Sequence, residues 1–137
     1  VAEAGALTPY AAALGIVLDG VEGNVPVLRV EFADAVQGRP GALHGGAISG
    51  LLETAGYALL RNTLAATGRP TKMKPINLTV QFLASGKPRP TFAQARIVKL
   101  GRRTANLSIE AWQDDPARPI ASAVLNVMVS SAEERKG

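Results

Sequence analysis

The chain has no cysteine, which excludes disulfides, thiolate metal sites and a cysteine nucleophile together. Its one histidine, His44, is too few for a histidine-based metal site. Aromatic residues are scarce, with three Phe, two Tyr and one Trp, and they do not interleave with basic residues as base-stacking surfaces do. Nucleic acid is therefore not an expected partner. No apolar run reaches the roughly 18 residues of a membrane span. The opening VAEAGALTPY has neither the basic end nor the long apolar core of a secretion signal. A cytoplasmic chain forming a single domain over residues 1–137 is expected. A chain this long buries roughly 65–70% of its unfolded surface, so it needs no covalent staple.

Acidic residues are missing from one long stretch. Between Thr54 and Ile109 there is no Asp or Glu, while Arg61, Arg69, Lys72, Lys74, Lys87, Arg89, Arg96, Lys99, Arg102 and Arg103 all fall there. The net charge is only +4, so the asymmetry matters more than the total. A one-signed region favours an anionic ligand, and a phosphorylated small molecule fits it; a solvated basic face is the plainer alternative.

The pattern of elements is regular. Residues 8–15 read as a short helix opened by Thr8 and Pro9. Strands are expected near 16–20 and 25–33, followed by the loop AVQGRPGA. One long helix is predicted from Gly45 to Ala66, stopped in the Gly68–Pro70 region. Everything after it reads as strand, at about 73–84, 91–100, 103–114 and 119–130, with a tight hairpin at Gly101-Arg102. The apolar helix has to be covered by those strands, and hairpin connections imply an antiparallel sheet. The fold class is α+β, although strand order does not follow from the pattern.

The helix carries an unusual carboxylate. In GGAISGLLETAGYALL, Glu53 is the only ionisable side chain apart from the Tyr57 phenol. Ile48, Leu52, Ala55 and Leu59 form an apolar stripe for the sheet. Gly46, Ser49, Gly50, Glu53, Gly56 and Tyr57 recur at three- and four-residue intervals, as a glycine-rich face that something must approach closely. No basic residue stands three or four positions from Glu53. It is either the wet edge of an amphipathic helix, paired with a distant Arg, or a general base or nucleophile in an apolar cleft.

The helix opens with Leu43-His44-Gly45-Gly46, where free N–H groups and small residues would let a carbonyl oxygen approach. A simple turn with His44 as a cap is the alternative. Gly45 and Glu53 are eight residues apart, about 12 Å along one helix. They cannot act on one carbonyl within one chain. If both are catalytic, two antiparallel helices must meet in a symmetric dimer with two composite sites.

The segment LHGGAISGLLETAG resembles the central-helix signature of the hotdog-fold acyl-CoA thioesterases, the phenylacetate-pathway and 4-hydroxybenzoyl-CoA group. In that family Asp or Glu stands nine residues after the His, as Glu53 does after His44. The strands PINLTVQFL and TFAQARIVKLGRRTANLSIEAW extend the likeness over roughly residues 25–130. The resemblance implies a hotdog fold, a long central helix wrapped by an antiparallel sheet, and hydrolysis of an acyl-CoA thioester without metal or other cofactor. It makes Glu53 the general base or nucleophile, Gly45 the carbonyl-polarising amide with Gly46 beside it, and His44 a positioning residue. Arg102, Arg103, Lys87 and Arg89 would meet the phosphates of CoA. Tyr57, Phe82 and Trp112 are the candidates for an acyl pocket, with ordinary core or dimer packing as the plainer alternative. Homodimers, or tetramers built as dimers of dimers, are implied. Members often carry Gln or Asn six residues before the His; here Gly38 holds that place and Gln37 stands beside it as the substitute amide. Where members have Arg-Pro after the third long strand, this chain has Ala84-Ser85. A non-catalytic acyl-CoA binder and a hotdog hydratase or dehydratase are the alternatives, the latter without its usual Asp-x-Asn-x-x-His pattern here.

Overall fold

Two local signals bracket the long helix. The computed structural model describes residues 7–131, and its central element α2 runs over Gly45–Ala66 with His44 as N-cap. At the other end Gly68 takes a positive φ of 71°. Its N–H donates to Ala65 O (3.1 Å) while that of Arg69 reaches Leu64 O (2.9 Å), the Schellman pattern that ends a helix. A short helix α1, Pro9–Leu14, precedes it; the Thr8 hydroxyl accepts the Ala11 N–H at 3.1 Å.

Six strands follow the expected order: β1 Val17–Glu22, β2 Val25–Val30, β3 Met73–Phe82, β4 Thr91–Leu100, β5 Thr104–Trp112 and β6 Ala121–Val129. They form one antiparallel sheet in the order β1-β2-β4-β5-β6-β3. Gly23 and Asn24, with φ of 59° and 66°, join β1 to β2 in the two-residue turn that suits strand twist. The loop expected before α2 contains a 3-10 turn, Asp34–Val36, that seats Val36 in the core.

Alternation decides which face is buried. Ala105, Leu107, Ile109 and Ala111 of β5, and Ala121, Ala123, Leu125, Val127 and Val129 of β6, all point into the core. They pack against Leu51, Leu52, Ala55, Leu60 and Leu64 of α2. Each of those leucines is wholly buried and contributes about 1.5–3 kcal/mol relative to exposure. The expected glycine-rich face divides in two. Gly56 is buried against the sheet, where an added Cβ would stand 2.7 Å from Leu125 Cδ2. Gly50 instead receives α1, with Leu14 and Tyr10 3.0 and 3.1 Å from the same imaginary atom.

On the far side of the sheet, Asn106 donates to Asn126 (2.5 Å) and Asn126 to Asn77 (2.9 Å), an amide ladder across β5, β6 and β3. β3 is an edge strand, and its apolar Ile76, Phe82 and the following Leu83 are about half exposed.

Arg69 holds the β4–β5 hairpin to the end of α2. Its guanidinium donates to Gly101 O (3.0 Å), Arg102 O (3.1 Å) and Ser130 O (3.1 Å). Arg69→Ala is expected to cost about 1–3 kcal/mol by leaving those carbonyls without their charged donor. Arg69→Lys should recover only part of this, since an ammonium lacks the planar fork. Urea midpoints test it, and an unchanged midpoint in Arg69→Ala would rule out the bracing role.

Candidate active site

The backbone fixes His44 before its side chain acts. Its N–H donates to Val36 O (2.8 Å) and that of Leu43 to Gly86 O (3.0 Å), which ties the entry loop to the segment after β3. His44 Nδ1 accepts the Gly46 N–H at 2.8 Å. The ring is therefore an N-cap, and in the neutral ring that hydrogen bond puts the proton on Nε2. Gly46 spends its N–H on the cap. No acceptor among the described residues takes the Gly45 N–H. It remains a donor at the positive end of a 22-residue helix.

A cavity of about 510 Å³ opens at this helix start, lined by Arg39, His44, Gly45, Phe82 and Ser85 among others. Phe82 lies over Gly45, its Cζ 3.3 Å from where a Cβ would sit. Gly38 abuts His44 so closely that a Cβ there would stand 3.0 Å from its Cα. Gln37 is not in the cavity wall. Its Oε1 accepts the Gly41 N–H at 2.7 Å, which closes the loop on itself and leaves its Nε2 as the remaining donor.

Glu53 lines a different cavity, of about 380 Å³, between α1, α2 and β3. It is partly buried there, with Tyr57 one turn further along and Arg61 beyond. Gly45 and Glu53 are thus held apart within one chain, as the helix length requires.

A model of the thioesterase superfamily matches residues 40–120, which span α2 and the strands β3 to β5. The chain belongs to the thioesterase superfamily. Three solved structures illustrate its fold. A thioesterase from Staphylococcus aureus is 24% identical, with 90% of this chain and 99% of that one covered at a TM-score of 0.77. A thioesterase from Pseudomonas aeruginosa is 22% identical over 88% and 85%, again at 0.77. The phenylacetic acid degradation protein PaaI of Thermus thermophilus is 23% identical over 89% and 99%, at 0.73. Among curated proteins none matches the chain. The fold is the hotdog fold, and thioester hydrolysis is the activity of the family.

The four basic residues expected at the CoA phosphates divide between the two ends of α2. Lys87 and Arg89 follow the segment that lines the helix-start cavity. Gln113 braces that loop, accepting the Lys87 N–H (3.1 Å) and donating to Lys87 O (2.9 Å). Arg89 pairs with Asp114 at 2.5 Å. Arg102 and Arg103 sit at the hairpin latched by Arg69, at the opposite end of the helix. Sequence reasoning passed over Arg39 as a site residue and offered Phe82 for the acyl pocket, not for the helix start. Arg39 could have been flagged by its place in the Gly-rich entry loop, but Phe82 over Gly45 is a tertiary contact with no local signal.

Burial, and then the negative charge of Glu53, push the Tyr57 phenol up to about 12 from its ordinary 10.0. Between those two values unfolding releases a proton that the folded chain keeps. This group's share of stability is complete below pH 10 and is lost as pH climbs towards 12. Tyr57→Phe should flatten that part of the stability profile, measured by chemical denaturation at stepped pH; identical slopes in both proteins would contradict it. At the helix start, His44→Ala should cost about 1 kcal/mol as a lost cap while His44→Asn retains most of it. Equal losses in the two variants would assign His44 no capping role.

Proposed function

We propose that the protein hydrolyses acyl-CoA thioesters to the carboxylic acid and free CoA, at sites shared between two copies of the chain. The observation that carries this reading is the unclaimed Gly45 N–H, standing at the start of the same rigid helix that holds Glu53 in a separate cavity. With two α2 helices antiparallel, the Gly45 of each copy comes beside the Glu53 of the other. Lys87 and Arg89, close to the helix start, would meet the CoA phosphates there, with Arg102 and Arg103 as the further cations assigned to them. The unpaired edge of β3, with Ile76 and Leu83 half exposed, is the natural seam.

The chemistry follows from these positions. Gly45 donates to the thioester oxygen, and that bond strengthens as negative charge develops on it. Gly46 supports the turn, and His44 positions both glycines. Glu53 either takes a proton from the attacking water or attacks the carbonyl carbon itself, giving an anhydride that water then opens. By either route the C–S bond breaks and the thiolate leaves with a proton. Gln37 fixes the entry loop and offers Nε2 as a second donor. Tyr57 lines the acyl site. No cofactor takes part, and a cytoplasmic location suits a CoA thioester substrate. One observation favours a second reading, that of an acyl-CoA binder without turnover: Gly38 leaves the helix-start cavity without a side-chain amide at that position.

Glu53→Gln should abolish thiol release from aryl- and alkyl-CoA thioesters. Gly45→Pro should do the same, because proline is accepted at the first helical position yet has no N–H to donate. Mixing the two inactive variants under exchange conditions should restore about a quarter of wild-type activity, since half the dimers then carry one intact composite site. A mixture as inactive as its parts would place each site within one chain. Tight CoA-thioester binding without turnover in the wild type would select the binder reading.

A further inference from the structure

The cavity beside Glu53 is mainly apolar, walled by Leu7, Tyr10, Ala58 and Met73, yet one of its polar groups is left unanswered. The Tyr57 hydroxyl is shut away from solvent and has no hydrogen-bond partner among the described residues. Its neighbours in the wall do not leave the same gap. Thr54 donates its hydroxyl to Gly50 O at 2.7 Å, and Arg61 has a partner of its own. A buried hydroxyl without a partner is a standing cost to the fold, and a core position would be served as well by phenylalanine. Tyr57 lies four residues beyond Glu53, so the two side chains start about 6 Å apart along the helix axis. The cavity volume of about 380 Å³ falls within the range of small-molecule sites, about 300–1,000 Å³.

We infer that Tyr57 is a specificity residue that selects acyl groups bearing a hydrogen-bond-accepting oxygen about one helical turn from the thioester carbon. The inference rests on the reading of Glu53 as the group that acts at the thioester. The apolar wall holds the carbon chain, and a turn of the Tyr57 ring lets its hydroxyl, shut off in the free chain, donate to an oxo or hydroxyl oxygen placed along that wall. An acyl chain without that oxygen fills the same space but leaves the phenol buried and unpaired. Sites built to hydrogen-bond a substrate reject analogues that lack the polar atom more strongly than apolar sites reject a change of one methylene.

A matched pair of substrates tests this: hexanoyl-CoA and 5-oxohexanoyl-CoA, whose ketone oxygen lies about one helical turn from the thioester carbon. Wild type should favour the oxo substrate in kcat/KM by roughly tenfold, and Tyr57→Phe should bring that ratio to near one. Hexyl-CoA and 5-oxohexyl-CoA, thioethers that cannot be hydrolysed, report the same preference as a ratio of Kd values. If wild type turns over neither thioester, the catalytic reading falls while the binding ratio still judges Tyr57. The ligand-free Tyr57→Phe protein should have a Tm equal to or above that of wild type, because it loses an unpaired hydroxyl. A wild-type ratio near one, a preference that survives in Tyr57→Phe, or a lowered Tm in that variant would each overturn the inference.

Discussion

A straight α-helix is a ruler, and the candidate site of this protein is laid out along it. Eight residues separate Gly45 from Glu53, and no rotamer of a glutamate side chain closes the resulting gap of about 12 Å. The donor at the helix start and the carboxylate on its flank open into different cavities. Any chemistry using both must borrow one from elsewhere, and antiparallel pairing of two such helices is the simplest way to do it. The rest of the molecule keeps that ruler rigid. The sheet buries its apolar stripe, the His44 cap fixes one end, and the Schellman turn with Arg69 fixes the other.

The helix start is tied from several directions. Val36 O receives the His44 N–H, Gly86 O that of Leu43, and Gln37 closes the loop through Gly41. These bonds hold the N–H of Gly45 in place without using it. His44 draws Gly46 aside as the capped donor, so the two glycines of one motif have separate tasks. A preorganised donor of this kind stabilises developing charge without reorganising during the reaction.

Much of this was legible in the sequence because the relevant signals are local. The Thr8-Pro9 start, the His44-Gly45-Gly46 entry and the Gly68 stop each act within a few residues, and the helices fall where they indicated. The alternation in β5 and β6 marked their buried faces correctly for the same reason. What could not be read depends on contacts between distant segments. Periodicity grouped Gly50 with Gly56, yet α1 meets the first and Leu125 the second. A helix projection gives angles but does not say which neighbour occupies each side. Arg69 looked like one more charge in a basic stretch, whereas it is spent on carbonyls up to 61 residues away.

That last point changes the meaning of the charge asymmetry. The run without acidic residues suggested one basic surface, but the fold distributes its members. Arg69 is a structural donor and Arg89 is paired with Asp114. Lys87 and Arg89 stay near the helix start with Arg39, while Arg102 and Arg103 turn at the far end of a helix about 33 Å long. The four cations expected at the phosphates therefore form two separated groups within one chain. The charge count of the stretch thus overstates what any one ligand could meet, because part of it holds the fold together and the rest is divided along the helix.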